Sequence, residues 1–339
     1  MRGCITAILT PFNKRYEVDY ERFRSLVEFQ IKNNVKGIVV AGTTGEGPTL
    51  TIDEWKKLVE IAIDCKAEVI ANTGFNSTAK TLEYAQLAYD LGCRSFLMVD
   101  PYYNAPSSLE IRKEYYEPVA SKYGDCKIIP YVIPGRTGTQ LLPVDLAILH
   151  SAYPNIEAVK DATGSDQYSR DVRRLCGNSF NILSGDDERT FFMMTDDVIR
   201  ANGVISVISN IAPGSVQRMV THLLNNEYGR AKEIYDVLKQ LFQLVTVKTE
   251  EEIRGYKVSL KFRNPVPVKT LASILGIPAG PCRRPLGRIS SSALKNIIDV
   301  ARSVAQNSPE VFDPVEEFFD INIEQRLNNP SYLEGLAYD

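Results

Sequence analysis

Histidine is nearly missing from this sequence: His150 and His222 are the only two. A zinc site built on imidazoles has little to draw on, and neither does a Ser-His-Asp triad. The six cysteines, at 4, 65, 93, 126, 176 and 282, form no C-x-x-C pair, and several lie inside apolar runs. They read as buried free thiols of a protein kept in a reducing compartment. No apolar run approaches the ~20 residues that a membrane-spanning helix needs. The segment Met1 to Pro11 holds only a short apolar run broken by threonine. It reads as a first strand and not as a secretory signal, so the expected location is the cytoplasm. A basic stripe is also missing and the formal net charge is -3, so nucleic acid is not an expected partner.

What is present is ordinary for a globular protein of 339 residues, with 44% hydrophobic and 24% charged side chains. Short β-branched runs alternate with amphipathic stretches as far as about residue 225. The runs are Ile5–Leu9, Gly37–Ala41, Glu68–Ala71, Ser95–Val99, Lys127–Ile133, Ile156–Val159, Asn181–Leu183 and Val204–Ile208. Most are continuously apolar, as parallel strands covered on both faces should be. The stretches between them carry helix-start signals. Thr51 to Glu54 and Ser107 to Glu110 read as capping boxes, and Asp19 as the cap of a helix presenting Phe23, Leu26 and Val27. Eight strand–helix units predict an α/β fold of the (β/α)8 TIM-barrel type. A doubly wound sheet would carry a glycine-rich turn after its first strand, and Thr10-Pro11-Phe12-Asn13 offers none.

Beyond residue 225 the strand signal fades. Ala231, Ile234, Tyr235, Leu238, Leu241, Phe242 and Val245 recur at helical spacing, and Leu260–Leu275 and Ser291–Ala305 also read as helical. The expected organisation is a catalytic barrel over 1–225, a C-terminal helical domain over 226–305 and an acidic, hydrophobic tail over 306–339. That tail has Arg326 as its only base, against Glu310, Asp313, Glu316, Glu317, Asp320, Glu324, Glu334 and Asp339. Its apolar residues, among them Phe312, Phe318, Phe319 and Leu327, are too many for a purely solvated tail. It is expected to dock on its own barrel or on a neighbouring subunit.

In a (β/α)8 barrel the active site forms at the C-terminal strand ends. Those ends read Gly42-Thr43-Thr44-Gly45-Glu46-Gly47, Asp100-Pro101-Tyr102-Tyr103-Asn104, Tyr131 to Gly138, Lys160, Ser184-Gly185-Asp186-Asp187 and Ile205-Ser206-Val207. Each has a plain alternative. Gly42 to Gly47 could be only a turn, Tyr102 and Tyr103 packing aromatics, Tyr131 a core residue, Arg136 a surface base and Lys160 a lysine reaching for solvent. The Gly42–Gly47 loop lacks the G-K-[ST] ending of a nucleotide-binding P-loop. Successive amides with the Thr43 hydroxyl would instead suit a small carboxylate. Arg136, in a tight loop after Pro134-Gly135, could grip a carboxylate with its planar fork. A lysine held at an apolar strand end loses solvation, and its amine is then free to attack a carbonyl.

The motifs G-T-T-G-E at 42–46, P-Y-Y at 101–103, Y-V-I-P-G-R-T-G at 131–138, V-K-D-A-T-G at 159–164, S-G-D-D at 184–187 and G-V-I-S-V at 203–207 resemble the dihydrodipicolinate synthase / N-acetylneuraminate lyase family. Asn264 to Lys269 also looks like it, and the similarity runs from about residue 3 to about residue 300. The resemblance implies a pyruvate-dependent, class I aldolase-type lyase on a (β/α)8 barrel with a C-terminal helical domain. Lys160 matches the Schiff-base lysine and Tyr131 the proton-shuttling tyrosine. Thr44 and Tyr103 match relay partners, Tyr103 reaching into a neighbouring subunit's site, so a homodimer or homotetramer is implied. Thr43 matches the pyruvate-carboxylate contact, with the carbonyls of Gly185 and Ile205 lining the same pocket.

Arg136 decides the subgroup. R-T-G after the tyrosine motif resembles the family's synthases, which condense pyruvate with L-aspartate 4-semialdehyde in lysine and diaminopimelate biosynthesis. There the arginine holds the carboxylate of the semialdehyde. No metal or diffusible cofactor is implied, only a covalent imine between Lys160 and pyruvate. The alternatives are a 2-keto-3-deoxy sugar acid aldolase or N-acetylneuraminate lyase and, more remotely, a non-catalytic binding barrel. Val132 stands where the synthases usually carry asparagine. The family's allosteric lysine site is altered too, with Ile52, Trp55 and Lys80 at positions that bear other groups in the bacterial synthases, although Asn76 and Tyr102 remain. A cationic Lys80 would repel a lysine ammonium, so feedback inhibition by L-lysine is expected to be weak or absent.

Overall fold

The computed structural model describes residues 1–338, so Asp339 of the acidic tail lies outside it. Eight parallel strands close into a barrel in chain order: β1 (Gly3–Ala7), β2 (Gly37–Val40), β3 (Val69–Asn72), β4 (Ser95–Val99), β5 (Lys127–Val132), β6 (Ala158–Asp161), β7 (Asn181–Ser184) and β8 (Gly203–Ser206). This is the expected TIM barrel with C-terminal helices. The strands are displaced by a residue or two from the apolar runs. β1 begins at Gly3 and stops at Ala7, and β6 begins at Ala158 and runs past Lys160 to Asp161. Ladder hydrogen bonds, and not side-chain polarity, set where a strand ends.

Alternation along the strands divides the core in two. Ile5, Ala7, Val39, Ile70, Leu97, Ile129, Tyr131, Ala158, Leu183 and Ile205 fill the barrel interior. The residues between them face the helices and join a much larger cluster there. The start signals act as their spacing predicts. Asp19 accepts from the Arg22 amide at 3.1 Å, and Phe23, Leu26 and Val27 bury one face of the Tyr20–Lys32 helix. Both capping boxes form, Thr51 with Glu54 and Ser107 with Glu110.

The region after 225 departs from the all-helical reading. The helices Tyr228–Phe242, Val266–Leu275 and Ser291–Asn307 are present. Between the first two lies an antiparallel hairpin, β9 (Thr246–Ile253) and β10 (Tyr256–Arg263). Its turn, Arg254-Gly255, has φ of 53° and 82°, the left-handed pair that a two-residue hairpin loop requires. Val258, Leu260 and Phe262 alternate with exposed Lys257, Ser259, Lys261 and Arg263. That period of two was hidden in a segment with few apolar residues, most of them only half buried.

The tail docks on its own chain. Phe318 and Phe319 pack on Phe29 of the Tyr20–Lys32 helix, with ring centres 5.3 and 5.1 Å away. Arg326 donates to the carbonyls of Ser273 and Ile274 at 2.7 and 2.8 Å, satisfying the end of the Val266–Leu275 helix. Phe312, Val315, Ile323 and Leu327 are buried.

Candidate active site

Lys160 and Tyr131 are direct partners across β6 and β5, so both side chains enter the barrel interior side by side. The Lys160 Nζ lies 4.0 Å from the centre of the Tyr131 ring. Lys160 is buried and has no carboxylate within 4.0 Å among the described residues. Burial pushes its pKa from 10.5 down to about 7; Asp187 partly opposes the shift and Arg136 adds to it. A substantial fraction of the amine is therefore neutral near pH 7. Burial raises the Tyr131 hydroxyl, with Arg136 and Thr43 pulling it back.

Asp187 was not singled out from the sequence, although the S-G-D-D motif contains it. It is buried behind the strand ends of β7 and β8. Its carboxylate accepts from the Ser206 hydroxyl and from the amides of Val207 and Ile208, the latter two at 2.8 and 3.2 Å. Burial lifts its pKa to about 6, against these bonds. It is the acidic group that most favours the Lys160 ammonium.

The loop after β2 carries Thr43 and Thr44. The amides of Glu46 and Gly47 close the loop on the carbonyls of Thr43 and Gly42. Among the described residues, the amides of Thr43 and Thr44 donate to no protein acceptor. Gly47 is required for packing, since a Cβ there would lie 2.0 Å from the Ala41 carbonyl oxygen. The buried Thr44 hydroxyl accepts from the Asn264 side-chain amide at 2.9 Å, leaving its own proton to donate elsewhere.

A buried ion pair fastens the same loop. Glu46 takes Lys269 Nζ at 2.6 Å on one oxygen and the Arg283 amide at 2.7 Å on the other. Lys269 also donates to the Pro281 carbonyl and lies 4.4 Å from the centre of the Phe12 ring. The family-like Asn264 to Lys269 segment thus reaches the Thr43–Thr44 loop twice, through Asn264 and through Lys269. Sequence gave no sign of this, because the partners lie more than 200 positions apart.

Arg136 follows β5 on a single helical turn, Pro134–Thr137, whose end at Gly138 has a φ of 71°. It donates to the Asn264 carbonyl at 3.0 Å. A cavity of about 600 Å3 opens here, with Thr43, Arg136, Tyr102 and Asn264 in its wall. The hairpin residues Lys261 and Arg263 line it too, another contribution that sequence reasoning missed. Gly185 sits against β6, its amide bonded to the Asp161 carbonyl at 2.7 Å, and Ala162 leaves no room for a Cβ. Ile205 places its side chain in the barrel interior.

Within one chain the Tyr103 ring is left in solvent, although its amide donates to the Thr137 carbonyl at 3.4 Å. It is 89% exposed and held at a φ of 81°. The other seven residues singled out from the sequence lie at the C-terminal end of the barrel, as their strand-end positions require.

The family model described as the dihydrodipicolinate synthetase family matches residues 1–303. The chain belongs to that family. A 4-hydroxy-tetrahydrodipicolinate synthase from Methanococcus vannielii is 37% identical over 295 residues, covering 86% of this chain and 94% of the relative. Among solved structures, the dihydrodipicolinate synthase from Aquifex aeolicus superposes with a TM-score of 0.81 at 34% identity, covering 92% of this chain and all of that one. A lysine-bound dihydrodipicolinate synthase from Cyanidioschyzon merolae gives 0.81 at 32% identity, over 90% and 98% of the two chains. The family match stops short of the tail.

Proposed function

We propose that the chain condenses pyruvate with L-aspartate 4-semialdehyde to give 4-hydroxy-tetrahydrodipicolinate, acting as a lyase of this family. The observation that carries the reading is the buried, unpaired Lys160 amine, with a pKa of about 7, beside Tyr131. The neutral amine attacks the pyruvate ketone and forms an imine. The free amides of Thr43 and Thr44 and the Thr43 hydroxyl receive the pyruvate carboxylate, which fixes the ketone against the amine. The protonated imine draws electrons from the methyl group, and loss of a methyl proton gives an enamine. Tyr131 carries protons to and from these intermediates, with Thr44 directing its hydroxyl. Asn264 orients Thr44 by occupying its acceptor position. The enamine carbon then attacks the aldehyde, whose carboxylate is held by Arg136. The substrate amine finally displaces Lys160 as the ring closes.

Tyr103 completes the relay in a neighbouring copy of the chain. An aromatic ring that is 89% exposed on a left-handed backbone position fits that role, and a homodimer or homotetramer is the corresponding assembly. Chemistry proceeds through the Lys160 imine with no diffusible cofactor.

Borohydride reduction in the presence of pyruvate tests the first half: Lys160 should gain the mass of a reduced pyruvate adduct, and its absence would remove the enzymatic reading. A coupled assay with the semialdehyde tests the second. Arg136→Ala should raise KM for the semialdehyde at least tenfold, with a smaller effect on adduct formation. Equal activity of the wild type on a neutral sugar-derived aldehyde would favour a sugar-acid aldolase instead.

A further inference from the structure

The hairpin root presents an uncompensated group of positive charges at the mouth of the cavity. Lys261 and Arg263 lie on one exposed face of β10 and both line the cavity wall with Arg136. Lys248 of β9 stands directly opposite Lys261 in the hairpin register. Like charges facing each other across strands are destabilising. Further out, the register on the same face is complementary or neutral: Lys257 faces Glu252 and Ser259 faces Glu250. The hairpin thus keeps its acids toward the tip, where Lys257 has one opposite it, and leaves the bases at the root with none facing them. Among the described residues, none of Arg136, Lys248, Lys261 and Arg263 has a carboxylate within 4.0 Å. The group is closely coupled, since Arg263, Lys248 and Arg136 all lower the Lys261 pKa. Arg263 also donates to the Gly135 carbonyl at 3.1 Å, so the hairpin touches the loop that carries Arg136.

An anionic ligand would relieve this repulsion. We propose that Lys261 and Arg263 join Arg136 in capturing the carboxylate of the aldehyde substrate, making the hairpin root a specificity element for carboxylate-bearing aldehydes. This rests on the functional reading above, and it adds to that reading two further determining residues. The lysine draws the anion in through its field, and the arginine forks add direction. Such capture weakens with ionic strength, because the group is open to solvent.

The test compares aldehydes with and without a carboxylate. The ratio of kcat/KM for L-aspartate 4-semialdehyde to that for propanal, both with pyruvate, should fall at least tenfold in the Lys261→Met, Arg263→Gln double variant. The loss should lie in KM for the carboxylated aldehyde. Its salt dependence should flatten. Lys261→Met alone leaves the Arg263–Gly135 contact in place and should still lower the ratio, whereas Lys261→Arg should keep it. Lys257→Met, at the hairpin tip, should change it less than twofold. A ratio within twofold of wild type in the double variant overturns the proposal. Calorimetric binding of succinate to the pyruvate-loaded, borohydride-reduced protein separates this inference from the reaction itself. If the wild type turns over neither aldehyde, the functional reading fails. Tenfold weaker succinate binding by the double variant would still support the anion site, and equal binding would overturn it.

Discussion

Tyr131 and Lys160 face each other across β5 and β6, and the lysine nitrogen lies 4.0 Å from the centre of the tyrosine ring. Both side chains project among the aliphatic residues of the barrel interior. Burial there disfavours the ammonium and the phenolate alike, so the Tyr131 hydroxyl keeps its proton near pH 7 while a substantial fraction of Lys160 has lost its own. A neutral amine beside a neutral hydroxyl is the state that imine formation needs.

The pH dependence of imine formation follows. The neutral form of Lys160 dominates above its pKa of about 7, so the rate of adduct formation should rise with pH and level off above that value. Stopped-flow measurement at saturating pyruvate would check it. A rate still climbing in proportion to hydroxide between pH 8 and 9.5 would show an unshifted lysine.

Tyr131→Phe keeps the ring against Lys160 and removes the hydroxyl. Turnover should fall by about 10²-fold or more, the usual worth of a positioned proton-transfer group. The reduced pyruvate adduct should still accumulate over longer times, as read by intact-protein mass. Turnover within threefold of wild type would remove Tyr131 from the proton path.

Glu46 and Lys269 form a buried pair that ties the Thr43–Thr44 loop to the Val266–Leu275 helix. Glu46→Gln or Lys269→Met alone strands one buried charge and should cost about 3–5 kcal/mol of stability by denaturant titration. The double variant should lose less than the two single losses added together. Strict additivity would mean that the two side chains are not coupled.

The tail should be part of the fold. Ending the chain at Asn307 removes Phe318 and Phe319 from Phe29 and strips Arg326 from the carbonyls of Ser273 and Ile274. Each fully buried apolar side chain lost is worth roughly 1.5–3 kcal/mol. The melting temperature should drop by at least about 5 °C. An unchanged value would make the tail dispensable for stability.

L-lysine should inhibit weakly or not at all. Trp55 is fully buried with its indole nitrogen bonded to the Asn72 carbonyl at 3.0 Å, so it is committed to the core. The Lys80 ammonium sits 4.4 Å from the centre of the Phe75 ring and would meet an incoming cation with like charge. Initial rates with increasing L-lysine would test this, and half-inhibition below 1 mM (roughly the scale at which a preserved site would be felt) would contradict it.

The sequence by itself settled what depends on near neighbours along the chain. Continuous apolar runs at regular intervals specified a barrel of parallel strands, and Asp19, Thr51 and Ser107 marked helix starts that form as written. Strand-end positions singled out Lys160, Tyr131, Thr43, Thr44 and Arg136, because one barrel rim must collect them. Tertiary structure alone decided how these residues behave. The Lys160 pKa depends on burial and on Asp187, which arrives from another strand end. Asn264 and Lys269 reach the Thr43–Thr44 loop across more than 200 residues. The hairpin escaped notice because its inward apolar side chains are few and, Val247 aside, at most half buried, so its alternation was faint. Charge patterns in a sequence show how many bases a segment holds. Which of them stand together without a counter-charge is fixed only when strand register places Lys261 opposite Lys248 and beside Arg136.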